Sequence, residues 1–158
     1  MIKKTILSLI LMCSAYGFAH AQWYVGGNMG MHFENSNVYA NVSHEVGHKF
    51  LDGKLSVGVA PFLAYTKKSG YDPEYSYGGR VITRFDIING LYVTAQAQAE
   101  NFDTSEGRKW EYAIPVGVGY YYSMGHVSIY AEVTYDLLFD DDSYGENPII
   151  RGGVNYNF

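Results

Sequence analysis

The sequence predicts an all-β protein, an eight-stranded antiparallel up-and-down transmembrane β-barrel. After residue 21 the chain divides into eight segments of roughly ten residues in which apolar and polar side chains alternate. Aromatic residues gather near both ends of these segments, and the connections between segments alternate between short and mostly long. Alternation alone would also suit a soluble β-sandwich, whose polar faces would meet water.

Turn residues bound each of the eight segments. In order, the segments are Trp23–Glu34, Val38–Phe50, Leu55–Thr66, Tyr75–Ile87, Leu91–Phe102, Trp110–Tyr122, Val127–Leu137 and Ile149–Phe158. Each length suits a strand that crosses a membrane at a tilt.

The first four segments each combine an apolar face with a face that suits a barrel lumen. Polar side chains on the inner face of the first, second and fourth segments are Asn28, His32, Asn41, Ser43, Glu45, Lys49, Arg80, Arg84 and Asp86. The third segment is recognised by its apolar face, which consists of Leu55, Val57, Val59, Leu63 and Tyr65.

The last four segments alternate at least as clearly. The fifth sets Leu91, Val93, Ala95, Ala97 and Ala99 against Thr94, Gln96, Gln98 and Glu100. The sixth aligns the even-numbered residues from Trp110 to Tyr122 on its apolar face, and the seventh separates Val127, Ile129, Ala131, Val133 and Tyr135 from Glu132, Thr134 and Asp136. The eighth places Ile150, Val154, Tyr156 and Phe158 opposite Arg151, Asn155 and Asn157.

Aromatic side chains at two levels favour a membrane barrel over a sandwich, because Tyr and Trp prefer the membrane–water boundary. One predicted girdle contains Trp23, Phe50, Phe85, Tyr92, Tyr120, Tyr122, Tyr156 and Phe158. The other contains Phe33, Tyr65, Tyr77, Trp110, Tyr112 and Tyr135.

Three short connections predict tight hairpins at Asp52-Gly53, Asn89-Gly90 and Met124-Gly125. Two-residue turns at the first and third would bring the polar faces of the flanking strands together. At Asn89-Gly90 such a turn would not. We therefore expect a three-residue loop or a bulge there, with Arg84 opposite Gln96 and Arg80 opposite Glu100.

Pro61 and Pro115 lie inside predicted strands. A closed barrel has no edge strand to accommodate a residue without an N–H group. We expect a bulge or a weakened ladder at each proline.

The first 21 residues read as a secretory signal peptide. Lys3 and Lys4 precede a short apolar run, and Ala19-His20-Ala21 provides a cleavage site before Gln22. The expected domains are therefore a signal peptide, 1–21, and an outer-membrane β-barrel, 22–158.

Without Lys3 and Lys4, nine basic residues remain against sixteen acidic ones, a formal charge of −7 that disfavours nucleic acid as a partner. Cys13, the one cysteine, lies in the leader.

The last ten residues, IIRGGVNYNF, resemble the C-terminal assembly signal of Gram-negative outer-membrane barrels, with Arg151, Gly153, Tyr156 and Phe158 at the matching positions. Together with the leader, the eight segments and the stretch PVGVGYYYSMGHVSIYAEVTYD, the mature chain resembles the small barrel family of OmpX and the OmpA membrane domain. This resemblance implies termini in the periplasm and surface loops near 35–37, 67–74, 101–109 and 138–147. It also implies that the assembly machinery recognises the terminal strand.

An eight-stranded barrel leaves a lumen just wide enough for side chains. The charged residues on the predicted inner faces should pair there as a structural plug, because an unpaired buried charge is costly. The expected network consists of Arg80, Arg84, Asp86, Glu100, Glu111, Glu132, Asp136 and Arg151, with Arg151 paired to Glu132 across the last hairpin. A proton or ion path is the alternative role.

One set of residues suggests an enzyme. His126 and Ser128 lie two apart on one predicted face, with Glu132 further along it, and the lipid A deacylase family uses a His-x-Ser pair with an acidic residue. That family works at the outer leaflet from the lipid-facing surface, whereas this pair follows a predicted periplasmic turn.

The acidic run Asp140-Asp141-Asp142, with Glu146, could bridge cations to lipopolysaccharide, although a solvated loop explains it as well.

The sequence therefore predicts an outer-membrane barrel without catalysis, cofactor or metal, with a membrane-structural or surface-interaction role through its loops. Expected partners are outer-membrane lipid, lipopolysaccharide and the assembly machinery, together with a surface ligand that the sequence does not identify. Two alternatives stay open: a barrel that binds or transports small amphiphiles, and a lipid A deacylase-like hydrolase using His126, Ser128 and Glu132.

Overall fold

The computed structural model describes residues 22–34, 37–104, 106–140 and 147–158, and the predicted signal peptide lies outside these ranges. Over the described residues the chain forms nine β-strands: β1 Gln22–Glu34, β2 Asn37–Phe50, β3 Leu55–Lys67, β4 Glu74–Ile88, β5 Leu91–Thr104, β6 Gly107–Ala113, β7 Pro115–Met124, β8 Val127–Asp136 and β9 Ile149–Asn157. No helix in this part of the chain is long and apolar enough to cross a membrane.

The strands close into a ring. Each strand is antiparallel to its neighbours, β4 pairs with β5, and β1 pairs with both β2 and β9. β6 and β7 occupy one position in the ring, because both pair with the same edge of β5 in the same register. The predicted eight-stranded antiparallel barrel is confirmed, and β9 closes it against β1 and β8 as expected.

Both prolines interrupt a ladder without shifting it. The pairing of β5 stops between Gln98–Ala113 and Ala95–Val116, because Pro115 has no N–H group to donate. The pairing of β2 with β3 likewise skips the residues around Pro61 and resumes in the same register. The expectation of a weakened ladder is confirmed at both positions, and no bulge forms at either.

The three tight connections all lie at one end of the barrel, together with Gln22 and Phe158. The first closes with Phe50 opposite Leu55, in the register predicted from Asp52-Gly53. The last turn is Gly125-His126 rather than Met124-Gly125, since Met124 pairs with Val127. Gly125 adopts a left-handed conformation (φ 63°) there, which costs glycine little.

The connection between β4 and β5 corrects a predicted register. A two-residue turn at Asn89-Gly90 is followed by a bulge between Asp86 and Ile88, so a bulge is present as expected. Arg80 lies opposite Gln98, and Arg84 lies opposite Thr94. The predicted partners Glu100 and Gln96 were wrong by two residues, because the extra residue, Ile87, lies in β4, whereas the predicted pairing places it on the β5 side of the turn.

At the opposite end the strands extend further than predicted. β5 and β6 continue to Thr104 and Gly107, so most of the loop expected at 101–109 is hairpin ladder. The connection 68–73 is described in full, whereas residues 35–36 and 141–146 of two other expected loops lie outside the described ranges. That gap includes Asp141, Asp142 and Glu146 of the acidic run.

The polarity of the barrel is inverted relative to a water-soluble protein. Buried residues include many charged and amide side chains that point inward, among them Asn28, Glu45, Arg84, Gln96, Glu132 and Arg151. The outward face exposes apolar side chains on every strand position of the ring, for example Met29, Val42, Leu63, Val81, Val93, Val118, Val133 and Val154.

The two aromatic levels are present on the outer face. Trp23, Phe85, Tyr120, Tyr122, Tyr156 and Phe158 are exposed at the turn end, and Phe33, Tyr77, Trp110, Tyr112 and Tyr135 at the loop end. Tyr92 does not belong to the girdle, because it points into the lumen and is only 1% exposed. Tyr92 alternates in phase with Thr94 and Gln96, so it lies on the inward face of β5 although it is aromatic.

A closed ladder predicts resistance to unfolding in detergent, because a barrel without a free edge loses its backbone hydrogen bonds only cooperatively. Protein extracted in dodecyl sulfate should migrate differently on a gel before and after boiling. Identical mobility in both samples would contradict the closed ring.

Candidate functional site

Arg84 of β4 lies at the centre of the lumen, between two carboxylates from other parts of the ring. Its Nη1 is 2.5 Å from Oε1 of Glu45 on β2, and its Nη2 is 3.2 Å from Oε2 of the same residue. Its Nε is 3.3 Å from Oε2 of Glu132 on β8. Both carboxylates are almost fully buried, so this arginine neutralises two charges that water hardly reaches.

Phenol and amide groups complete the hydrogen bonding of the two carboxylates. Tyr24 donates to Glu45 Oε1 at 2.7 Å, and Tyr92 donates to Glu132 Oε2 at 3.0 Å. Gln96 Nε2 donates to Glu132 Oε1 at 2.9 Å. Tyr130 contacts Glu45 Oε2 at 3.4 Å, and the Arg84 guanidinium lies 4.7 Å from the centroid of its ring. The central ion pairs are therefore enclosed by aromatic rings as well as by hydrogen bonds.

Four large inward aromatics each lie directly opposite a glycine on the next strand. The four pairs are Tyr24 with Gly47, Phe62 with Gly78, Tyr92 with Gly119, and Tyr130 with Gly153. A Cβ atom built on any of these glycines would collide with the ring. The missing side chain lets each ring lie against the barrel wall, and three of them extend a hydroxyl to the central ion pairs.

A second group of polar residues fills the loop-end half of the lumen. Glu100 accepts hydrogen bonds from Ser76 at 2.5 Å, from Gln98 at 3.2 Å and from Tyr39 at 3.3 Å. Arg80 donates to Asn41 at 2.9 Å, and its guanidinium lies 4.8 Å from the ring centroid of Phe62. This half therefore holds its carboxylate with neutral donors.

Arg151 connects the two halves. Its Nη1 donates to Thr134 Oγ1 at 2.7 Å and lies 3.9 Å from Glu132 Oε1. It pairs directly with Glu132 in the ladder of β8 and β9, as the sequence predicted. Arg84 is nonetheless the closer cation to Glu132.

Of the eight residues expected in the lumenal network, five lie buried inside: Arg80, Arg84, Glu100, Glu132 and Arg151. Asp86 is at the turn-end mouth, where it accepts the Tyr121 hydroxyl at 2.5 Å. Glu111 is half-buried opposite Glu100. Asp136 is at the loop end, where it accepts from the backbone N–H of Ile114 at 2.7 Å and of Leu138 at 3.1 Å.

Glu45 is the main residue missing from the sequence-derived network. The alternation of the second segment already placed it on the polar face at mid-strand. The inward tyrosines were missed as well, although their glycine partners offered a signal once the registers were known.

The expected hydrolase residues do not come together. His126 is exposed in the turn, with its ring stacked at 5.8 Å on the outward Tyr156, whereas Ser128 is buried inside. The Ser128 hydroxyl bonds with Ser123 Oγ at 2.8 Å and with Asn157 Nδ2 at 3.1 Å. The prediction that His126 and Ser128 share a face is wrong, because the turn begins one residue later than expected.

The interior leaves little free space at the turn end, where a cavity of about 40 Å³ is lined by Lys49, Asp86, Tyr121, Asn155 and their neighbours. Among the described residues, no group of three His, Cys, Asp or Glu side chains is arranged to hold a metal ion.

The four residues of the expected assembly signal lie on both sides of the closing strand. Arg151 points inward, and Gly153 lies beneath the ring of Tyr130. Tyr156 and Phe158 point outward at the turn end, with ring centroids 5.3 Å apart.

No protein-family model and no curated protein matches the chain. Among solved structures, it is similar to the N-terminal β-barrel domain of Pseudomonas aeruginosa OprF, with 17% identity, 85% of this chain and 97% of that chain covered, and a TM-score of 0.46. It is also similar to Neisserial surface protein A, with 16% identity, coverage of 88% and 97%, and a TM-score of 0.48. A further match is the translocator domain of the autotransporter NalP from Neisseria meningitidis, with 10% identity, coverage of 98% of both chains and a TM-score of 0.30. The barrel architecture itself follows from the strand pairing described above.

The central position of Arg84 predicts a large loss of stability on its removal. In Arg84→Met, Glu45 and Glu132 stay buried without their shared cation, which should lower the free energy of unfolding by about 3–5 kcal/mol. The measurement is a urea titration of the barrel in lipid vesicles.

Lys109→Met is the matched control, because Lys109 forms an exposed ion pair with Glu106 at 2.9 Å. Its loss should change the free energy of unfolding by about 1 kcal/mol or less. Equal effects of the two substitutions would contradict a special role for Arg84.

Proposed function

We propose that the chain is a small outer-membrane β-barrel protein with a membrane-structural or surface-interaction role exercised through its loops, and that it has no catalytic activity. The observation that carries this proposal is the inverted polarity of the closed ring. Soluble monomers rarely expose apolar patches larger than a few hundred Å², whereas here apolar side chains surround the whole barrel. A lipid environment accounts for such a surface.

The outer membrane is the membrane that best fits the chain. Closed barrels satisfy all backbone groups within the ring, which lipid requires, and the predicted signal peptide would export the chain from the cytoplasm. Aromatic residues at two levels suit the two interfaces of a bilayer. Outer-membrane lipid would then contact the middle of the barrel, and lipopolysaccharide its loop end.

The loop end provides groups for a surface interaction. In the connection 68–73, Tyr71 is 75% exposed, and Gly70 adopts a left-handed conformation. The loop is held in place by a hydrogen bond from the Ser69 N–H to Asn37 Oδ1 at 3.0 Å. An exposed aromatic ring on an anchored loop is a suitable contact for a surface partner.

The arrangement of polar groups favours a structural role over the two alternatives. Glu132, the acidic residue of the hydrolase alternative, is held by Arg84, Tyr92 and Gln96 and makes no contact with His126 or Ser128. An amphiphile carrier needs an apolar or open interior, whereas this lumen is filled with charged side chains and phenols.

Single-cysteine variants test the membrane orientation, because the predicted mature chain contains no cysteine. Tyr71→Cys on the loop should react with a membrane-impermeant maleimide on intact cells. Lys54→Cys in the first turn should react only after the outer membrane is permeabilised. Val59→Cys on the apolar outer face should stay unlabelled in both samples.

Labelling of Lys54→Cys but not Tyr71→Cys on intact cells would reverse the proposed orientation. Recovery of all three variants in a soluble fraction would contradict the outer-membrane barrel.

We also propose that Arg151, Gly153, Tyr156 and Phe158 act as the assembly signal. The outward aromatic pair on the closing strand supports this role, because its rings face the surroundings and are accessible to assembly machinery. Phe158→Ala should therefore reduce the amount of folded protein in the outer membrane and leave unfolded protein in the periplasm.

Tyr120→Ala is the control for the assembly prediction, because Tyr120 is an exposed aromatic at the same end of another strand. It should lower insertion much less than Phe158→Ala. Equal effects of both substitutions would reduce Phe158 to a general girdle residue.

A further inference from the structure

Three polar side chains meet in the lumen beside Gly30 of β1. Asn41 lies directly opposite Gly30 on β2, and Arg151 lies opposite it on β9. A Cβ atom at Gly30 would be 2.8 Å from Asn41 Nδ2 and 3.0 Å from Arg151 Cγ, so both side chains pass over the glycine. Arg80 reaches the same place from β4, since its Nη2 donates to Asn41 Oδ1 at 2.9 Å.

Hydrogen-bond donors are in excess at this position. Five buried nitrogen atoms have no hydrogen-bond partner among the described residues: Asn41 Nδ2, Arg80 Nε and Nη1, and Arg151 Nε and Nη2. Each of the three side chains belongs to a residue that is at most 3% exposed. Buried donors of this kind normally have a partner, because an unsatisfied one loses its hydrogen bonds to water without replacement.

Positive charge is also in excess here. In the described part of the chain no carboxylate lies within 4.0 Å of Arg80, and the nearest carboxylate oxygen to Arg151 is 3.9 Å away. Glu100 is occupied by Ser76, Gln98 and Tyr39, and Glu45 and Glu132 are bound more closely by Arg84. Arg80 therefore has only neutral groups in close contact, and Arg151 shares its one nearby carboxylate, Glu132, with the more closely bound Arg84.

We propose that this cluster of Asn41, Arg80 and Arg151 binds a small monovalent inorganic anion of halide size inside the barrel. Water can accept hydrogen bonds from some of the free N–H groups, but it carries no negative charge to neutralise Arg80. A halide accepts several N–H donors at once and supplies the opposing charge. Because Gly30 has no side chain, Asn41 and Arg151 can pass over β1 at this point.

The direct test uses bromide as the probe. Protein purified from membranes is crystallised in sodium bromide, and anomalous diffraction is recorded at the bromine absorption edge. A peak in contact with Asn41, Arg80 and Arg151 is the expected result. Density without anomalous signal at that position would show water alone and overturn the proposal.

Stability provides the second test. At constant sodium concentration, bromide should raise the melting temperature relative to gluconate, an anion too large for the lumen. A shift of about 4 °C is expected when bromide exceeds its dissociation constant tenfold.

Asn41→Asp should replace the anion, because its carboxylate takes the position of the amide between Arg80 and Arg151. This variant should melt at least as high as the wild type and lose its dependence on bromide. Asn28→Asp is the matched control: Asn28 is also a buried amide, 3.5 Å from Glu45 Oε2, so the new charge faces a carboxylate. It should melt lower and keep the bromide dependence.

A wild-type melting temperature that is the same in bromide and gluconate would contradict the site. So would an Asn41→Asp variant that melts lower than the wild type.

Discussion

Closure of the backbone ladder is the constraint from which the rest of this structure follows. In the lipid environment proposed above, a strand has no water to satisfy its N–H and C=O groups, so every strand has to bond to a neighbour on both sides. β9 fulfils this requirement by pairing with β1 and β8. Once the ring is closed, period-two alternation leaves one face of each strand outside and the other inside. The inner faces carry the charges, and these charges have to pair with each other.

Few side chains are needed to pair the central charges of the lumen. Arg84 neutralises Glu45 and Glu132 together, and so links β2, β4 and β8 across the barrel. Tyrosines opposite glycines bring hydroxyl groups to the same carboxylates while their rings fill space along the wall. The two proline gaps are tolerated because each removes only a short part of one ladder, and the flanking pairs keep their register.

The sequence was sufficient for the number of strand positions, their faces and the closing strand, because alternation is a local property of each segment. It was insufficient for Glu45. Which inward carboxylate meets which arginine depends on the heights of strands that are not neighbours, and therefore on every register between them. Tyr92 shows a different limit: its aromatic character suggested the girdle, and its parity placed it inside. The bulge at Asp86/Ile88 was expected, but the strand that carries it was not, since an extra residue in β4 and one on the β5 side give the same alternation.

The predicted and observed registers of β4 and β5 differ by two residues, and the charged network distinguishes between them. A slip of two residues between β4 and β5 keeps every apolar side chain outside, so the hydrophobic pattern does not distinguish the two registers. Such a slip moves β4 by about 7 Å relative to β5 and the strands that follow it. Arg84 would then leave Glu132, which would stay buried without its closest cation, at a cost of several kcal/mol. Apolar burial therefore selects the faces of the strands, and the ion pairs of Arg84 select among the registers that those faces allow. A buried polar network need not increase stability to be useful in this way: it makes one register of the barrel much more favourable than its neighbours.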